Sequence, residues 1–279
     1  MIKADIYYKE YLQDIVDSKI KDKNPRPKYE SDGVPAHTYF ITQTTEKYNI
    51  TKGEFPITTL RNTATKMGIQ EMLTIYQDQV HTNDAFLKRG IKWWTPWSDK
   101  DGNLGQRYGA TIRKYDLMNK LLNGLENDPF GRRHIINLFQ YEDFEETEGL
   151  IPCAFETLWS VREIDNITYL DLTLNQRSND YIMAGYINKI QYVAFQMMVA
   201  CHLRFEVGNF KHDVQNLHIY DRHLNASDEI LNREPLDFQP SIELNCKKGT
   251  NFYDIRFEDF KINTSKDIKK LSSVLEIAI

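Results

Sequence analysis

In GLIPCAFETLW, residues 149–159, a cysteine sits directly after a proline and directly before an alternating run, which makes it the side chain best placed for covalent chemistry. As a thiolate, Cys153 can attack an electron-poor carbon once nearby cations lower its pKa; as a buried thiol it would only fill space. Arginines supply the cations. Arg132 and Arg133 in DPFGRRHIINL and Arg177 in LNQRSND each lie at the end of a predicted strand, where forked donors can converge on one anion such as a phosphate. The plainer alternative is solvated surface charge. Ser178 adds a hydroxyl donor. His218 and Tyr220 in NLHIY are two apart, so on a strand both face one side and can grip a sugar hydroxyl, or satisfy each other as a half-buried pair. Asn188 heads a predicted helix, either as its cap or as an amide offering one donor and one acceptor to a pyrimidine edge. These residues alone indicate a cysteine enzyme with a phosphate-bearing substrate.

The elements that must position these groups can be read from periodicity. Residues 4–20 place Tyr8, Leu12, Ile15 and Ile20 on one helical face, and a polar, proline-bearing loop follows. A buried helix is predicted over 63–80 and a short amphipathic one over 115–125, with the Trp-rich loop WWTPWSDKDGNLG between them. HIINLFQ, AFETLWSVRE and ITYLDLTLNQ read as strands of an antiparallel sheet. Residues 188–202 return to helix, and NLHIYDRH and FYDIRFEDFKI read as strands again. No repeat or long linker divides the 279 residues, so the expectation is a single α+β domain over 1–279. No apolar run is long enough to span a bilayer, and the start lacks the features of a secretory signal, so a cytoplasmic protein is expected. A net charge of −5 gives no general attraction to nucleic acid or anionic membrane. Three widely separated cysteines predict reduced thiols.

In order along the chain, RRHIINLFQ, IPC, LNQRSNDYIMAGYIN, GNFKHDVQNLHIYDRH and a terminal EIAI resemble the folate-dependent thymidylate synthase family. FPITTLR, IQEML, IKWWTPWSDKDGNLGQRYG and FYDIRFEDF fall in the same family order, so the likeness covers most of residues 30–279. The flavin-dependent enzyme making the same product has a different fold, and its RHR-type signature is absent. The resemblance implies a mostly antiparallel mixed sheet flanked by helices, dimerising through the sheet. It also implies reductive methylation of dUMP to dTMP with 5,10-methylenetetrahydrofolate. Cys153 would then add to C6 of the uracil, with Arg177 holding the phosphate and keeping positive charge near the sulfur, and with Ser178 as a further phosphate contact. Arg132 and Arg133 would reach that phosphate from the other subunit. Glu71, with Tyr108 in its polar network, would manage proton transfer. Asn188 would read the O4 and N3 edge, and His218 and Tyr220 would hold the 3′-hydroxyl. For the folate, Trp94 and Trp97 would give apolar faces, Asp180 would bind the pterin edge and Arg61 the glutamate tail, while Ile277, Ala278 and Ile279 would close over the site.

Several positions depart from the family pattern. Ala154 stands where many members have His, MAGYIN replaces LGLPFN, and VQN replaces the Gly-Gly-Asp step before the ribose histidine. The N-terminal arginine that meets the phosphate falls at Gly33, with Arg26 or Lys28 as substitutes. Two other readings stand beside the synthase: a nucleotide hydroxymethylase on the same fold, and a nucleotide- or RNA-binding relative that has lost catalysis.

Overall fold

A computed structural model describes residues 1–279. In chain order the first elements are α1 (Lys3–Ser18), β1 (Thr38–Asn49), α2 (Thr65–Met72), α3 (Asn83–Lys88), α4 (Gly109–Lys114), α5 (Leu117–Asn127), β2 (Ile135–Asn137) and α6 (Tyr141–Glu146). There follow β3 (Ala154–Ile164), β4 (Ile167–Gln176), β5 (Asn179–Asp180), α7 (Gly185–Leu203), β6 (Glu206–Tyr220), α8 (Leu224–Leu231), β7 (Ser241–Leu244) and β8 (Phe260–Asn263). The main sheet runs β1-β6-β4-β3-β2, with β5 added beside β6 and β7-β8 forming a separate pair. Only β6 with β4 and with β5 is parallel. This is the mixed, mostly antiparallel α+β architecture expected. No helix is long and apolar enough to cross a membrane.

The centre of the molecule is α7. Its residues are buried on every side from Lys189 to Cys201, as expected of a helix that is apolar all round. The one charged residue in this stretch fixes its rotation. Lys189 is fully buried, and its Nζ lies 2.7 Å from both carboxylate oxygens of Glu46 on β1. Tyr48 and Tyr181 also donate to that carboxylate, and Lys189 lies over the Tyr186 ring, 3.6 Å from its centre. Against α7 packs α2, and Gly68 permits the approach, since a Cβ there would meet Ile187 Cγ2 at 3.1 Å. After Met72 the helix loosens into a π turn over Leu73–Gln77, a device found mostly at functional sites.

The differences from the sequence reading are local. The helix expected over 188–202 begins a turn earlier, so Asn188 is no cap: its N–H already donates to Ala184 O at 2.8 Å. FYDIRFEDFKI is not one strand. Asn251 Oδ1 accepts the N–H of Tyr253 at 2.9 Å and Asp259 Oδ2 that of Arg256 at 2.7 Å, which winds 252–254 and 257–259 into tight 3-10 turns before β8. Ile20 falls beyond α1 and is exposed. The reduced state expected for all three cysteines holds only for Cys153. The chain after β7 returns past the end of α7, where Gly249 N–H donates to Cys201 O at 2.7 Å, and this brings Cys246 into a disulfide with Cys201.

Candidate active site

Cys153 sits at the entrance to β3, next to a register shift between Ala154 and Glu156 in the pairing with β4. A bulge of this kind re-aims the strand end that carries it. Arg177 holds the same corner from the end of β4. Its N–H donates to Cys153 O at 3.0 Å, Nε to Pro152 O at 3.0 Å and Nη2 to Ile151 O at 2.9 Å, which leaves Nη2 3.6 Å from Cys153 Sγ. Carbonyls of the loop therefore aim the guanidinium at the sulfur. Burial pushes the Cys153 thiol up, and the charges of Arg177 and Arg26 oppose it. The free thiol is thus held protonated with two cations at hand to favour its ionisation.

Behind the sulfur lies a small cavity, about 60 Å³, walled by Glu71, Trp94, Tyr108, Cys153, Asn188 and Gln191 among others. Cys153 N–H donates to Tyr108 Oη at 3.3 Å, and Tyr108 holds this place from a strained backbone, φ 45°. Glu71 is buried at the end of α2. Burial drives its carboxyl up to about 7, against the pull of hydrogen bonds from Trp93, Trp94 and Gln191. The Trp93 indole N–H donates to Glu71 Oε1 at 2.9 Å, Trp94 donates to the same oxygen, and Gln191 Nε2 donates to Oε2. A carboxyl poised near neutrality inside a closed cavity is suited to carrying a proton either way. Neither Trp93 nor Gln191 was singled out from the sequence. Gln191 stands three residues after Asn188 on one helix, and that spacing was the available signal.

The remaining predicted residues divide into those brought to this corner and those set elsewhere. His218 and Tyr220 share a face of β6, their rings 5.5 Å apart, as the two-residue spacing required. Burial lowers the pKa of His218, leaving it neutral, with Nδ1 3.0 Å from Asn216 Oδ1. Asp180 on β5 pairs with His218, and its Oδ1 accepts from Ile182 and Met183 N–H at 3.2 and 3.1 Å, so one carboxylate oxygen caps the MAGYIN turn. Ser178 is half-buried beside Arg177. Arg132 and Arg133 are exposed before β2 and make no side-chain hydrogen bond within the chain. Trp97 lines a separate open depression of about 790 Å³ with His81 and Arg113. Arg61 lines another of about 710 Å³ with Lys66, Lys266 and Lys270. Trp94 is 6% exposed, and its indole N–H is committed to Glu71, so it meets the site with less free face than the sequence suggested.

The two ends of the chain meet. Lys28 and Ile279 exchange backbone hydrogen bonds of 2.8 and 2.9 Å, Glu30 N–H donates to Ile277 O at 3.0 Å, and Ala278 bridges Tyr29. Arg222, just beyond β6, donates to Asp32 and Glu276 at 2.7 Å each and so ties loop and tail to one anchor. Gly33 is the left-handed residue of the 29–34 turn, φ 71°, and offers no side chain, whereas the charge of Arg26 on the same loop reaches both Cys153 and Tyr220.

Comparison with known proteins bears on the family. Residues 6–276 match the family model described as thymidylate synthase. The chain is similar to the thymidylate synthase of Lactococcus lactis subsp. lactis (strain IL1403), 49% identical over 272 residues that cover 96% of this chain and 97% of that one. It is 48% identical over 264 residues to the thymidylate synthase of Streptococcus gordonii, with 94% of each chain covered. Among solved structures, the thermostable thymidylate synthase A from Bacillus subtilis superposes with a TM-score of 0.88 at 29% identity over 99% of both chains.

Proposed function

The chain belongs to the thymidylate synthase family, and from that premise we propose how its residues divide the work. It is a methyltransferase that converts dUMP to dTMP, with 5,10-methylenetetrahydrofolate as carbon and hydride donor. The hydroxymethylase and non-catalytic alternatives lose their ground, because the similar curated proteins are named as synthases.

The observation that carries the residue assignment is Arg177 Nη2 at 3.6 Å from Cys153 Sγ, on a cavity shared with Glu71, Tyr108 and Asn188. Cys153 forms the bond to uracil C6, drawn to the thiolate by Arg177 and Arg26, which also meet the nucleotide phosphate with Ser178. Glu71 gives and takes protons, and Tyr108 fixes the Cys153 backbone and joins the same polar network. Asn188 meets the ring edge; His218 and Tyr220 hold the deoxyribose. Trp94, Trp97 and Arg61, assigned to the folate, line separate depressions. Trp94 borders the cavity, Asp180 keeps one carboxylate oxygen free of turn contacts, and Trp97 and Arg61 stand further out where the tail of the molecule can lie. Ala278 and its neighbours exclude water from the closed site. The whole chain, 1–279, acts as one unit in a homodimer built through the sheet, with Arg132 and Arg133 lent to the partner's phosphate site; their exposure and lack of partners support this. A cytoplasmic setting is part of this reading; the nucleophile itself requires only that Cys153 stay a free thiol, as it does beside the Cys201–Cys246 disulfide.

The test is tritium release from 5-tritiated dUMP in the presence of the folate. Cys153→Ser is expected to keep dUMP binding and lose release by at least about 10³-fold, with dTMP as the product of the unaltered protein. Normal turnover by the serine variant would remove Cys153 from the nucleophile's role.

A further inference from the structure

The cavity wall contains a buried side chain that touches two candidate site groups at once. Gln191 on α7 is 6% exposed; its Oε1 accepts from Asn188 Nδ2 at 3.0 Å, and its Nε2 donates to Glu71 Oε2. On the other side of Asn188, its Oδ1 lies 3.3 Å from both Gln176 Nε2 and Asn179 Nδ2. Gln176 Oε1 in turn accepts from Asn179 Nδ2 at 2.9 Å and lies 2.5 Å from His212 Nε2. His212 is buried and neutral, its pKa pushed well down. From His212 through Gln176, Asn188 and Gln191 to Glu71, each side chain donates to the next, and the run ends on a carboxylate.

We propose that Gln191 is a positioning residue that sets pyrimidine selectivity: tied to Glu71, it fixes which way round the amide of Asn188 sits, with its free N–H toward O4 and its carbonyl toward N3 of the base. The proposal rests on the assignments of Asn188 and Glu71 made above. An amide has two N–H groups and two lone pairs. Gln176 and Asn179 approach Asn188 Oδ1 only at 3.3 Å, and Gln191 takes one N–H. In this orientation the second N–H meets uracil O4 and Oδ1 meets its N3–H, whereas cytosine, with an amino group at position 4 and a bare N3, is mismatched at both. While Glu71 is ionised, Gln191 cannot turn its amide over without setting Oε1 against an acceptor-only carboxylate, so in that state the polarity of the run is enforced from that end. Gly68 lies against this segment of α7, where a Cβ would press on Ile187 Cγ2 at 3.1 Å and reach ordinary contact, 3.5 Å, with Gln191 Cγ. The other titratable groups at the cavity are Tyr76, Tyr108, Tyr192 and Cys153, all shifted upward and uncharged near neutral pH, so a titration near neutrality reports on Glu71.

Gln191→Met keeps length and volume while removing both hydrogen bonds. With the full-length protein, binding of dUMP and of dCMP is measured by calorimetry without folate, and tritium release from labelled dUMP is followed against pH. The expected result is a dUMP-to-dCMP binding ratio narrowed about tenfold, the weight of one buried hydrogen bond, and a titration of release displaced to higher pH because Glu71 has lost a donor. Gln191→Asn, which keeps an amide too short to span both partners, is expected to do the same and serves if the methionine variant does not fold. Asn188→Asp separates the layers of the argument. If it moves preference toward dCMP while the Gln191 variants leave ratio and titration unchanged, the proposal is overturned and the role of Asn188 stands. If Asn188→Asp leaves selectivity unchanged, Asn188 does not read the base and both ideas fall.

Discussion

Arg26 and Lys28 share a short loop, and the structure gives them different work. Arg26 is the one whose charge reaches the Cys153 thiol and the Tyr220 phenol, while Lys28 is bound through its backbone to Ile279. Arg26→Ala is therefore expected to weaken dUMP binding by about 10- to 100-fold, the range for a hydrogen bond to a charged group, while Lys28→Ala changes it by less than about threefold. Calorimetric titration with dUMP checks this, and the reverse pattern would move the phosphate contact to Lys28. The candidate residues that were legible in the sequence are those whose chemistry is unusual for their position: a cysteine at a strand mouth, arginines at strand ends, a histidine and tyrosine two apart. Trp93 and Gln191 were not legible, because a tryptophan in an aromatic loop and a glutamine in an apolar helix look like packing until the partner carboxyl is located. Glu71 supplies that partner only after α2 and α7 have come together.

The contact between those helices depends on how α7 is turned about its axis, and the Lys189–Glu46 pair fixes that turn. Lys189 follows Asn188, so the ion pair directs one side of the helix toward β1 and leaves Asn188 and Gln191 facing the cavity. Lys189→Met strands the Glu46 carboxylate in the interior and is expected to cost about 3–5 kcal/mol of stability. Lys189→Met with Glu46→Leu is expected to recover most of that loss, since a buried pair replaced by apolar groups of similar volume is often neutral. Denaturant unfolding of the two variants measures both, and equal losses would show that the pair contributes no specific coupling. Periodicity found the helices α1, α2, α5 and α7 because each repeats its apolar residues on a face or all round. It misread FYDIRFEDFKI because alternating aromatics imitate a strand, while the carboxylate and amide side chains that wind the turns are ordinary surface types. It gave no account of β1, whose TYFITQTTEKYN carries threonines and a buried glutamate in place of an aliphatic alternation.

As a whole molecule the chain leaves Arg132 and Arg133 exposed and without side-chain partners. Mixing two inactive variants tests the proposed sharing of these arginines across a homodimer. Cys153→Ser chains retain their arginines, and chains with Arg132→Ala and Arg133→Ala retain their cysteine, so a mixed dimer contains one complete site. Unfolding and refolding an equal mixture is expected to restore tritium release to about a quarter of the unaltered level, by random pairing of equivalent protomers; no recovery would place both arginines and the cysteine in one subunit's work. The joined chain ends have a separate consequence. Arg222 holds Asp32 of the loop and Glu276 of the tail together, and the loop carries Arg26. Any anion that settles on the Arg26 guanidinium is therefore expected also to stiffen the carboxyl terminus, about 250 residues downstream in sequence. Linkage makes the debt mutual: the factor by which a phosphate group quiets the last residues is the factor by which those residues prolong its stay.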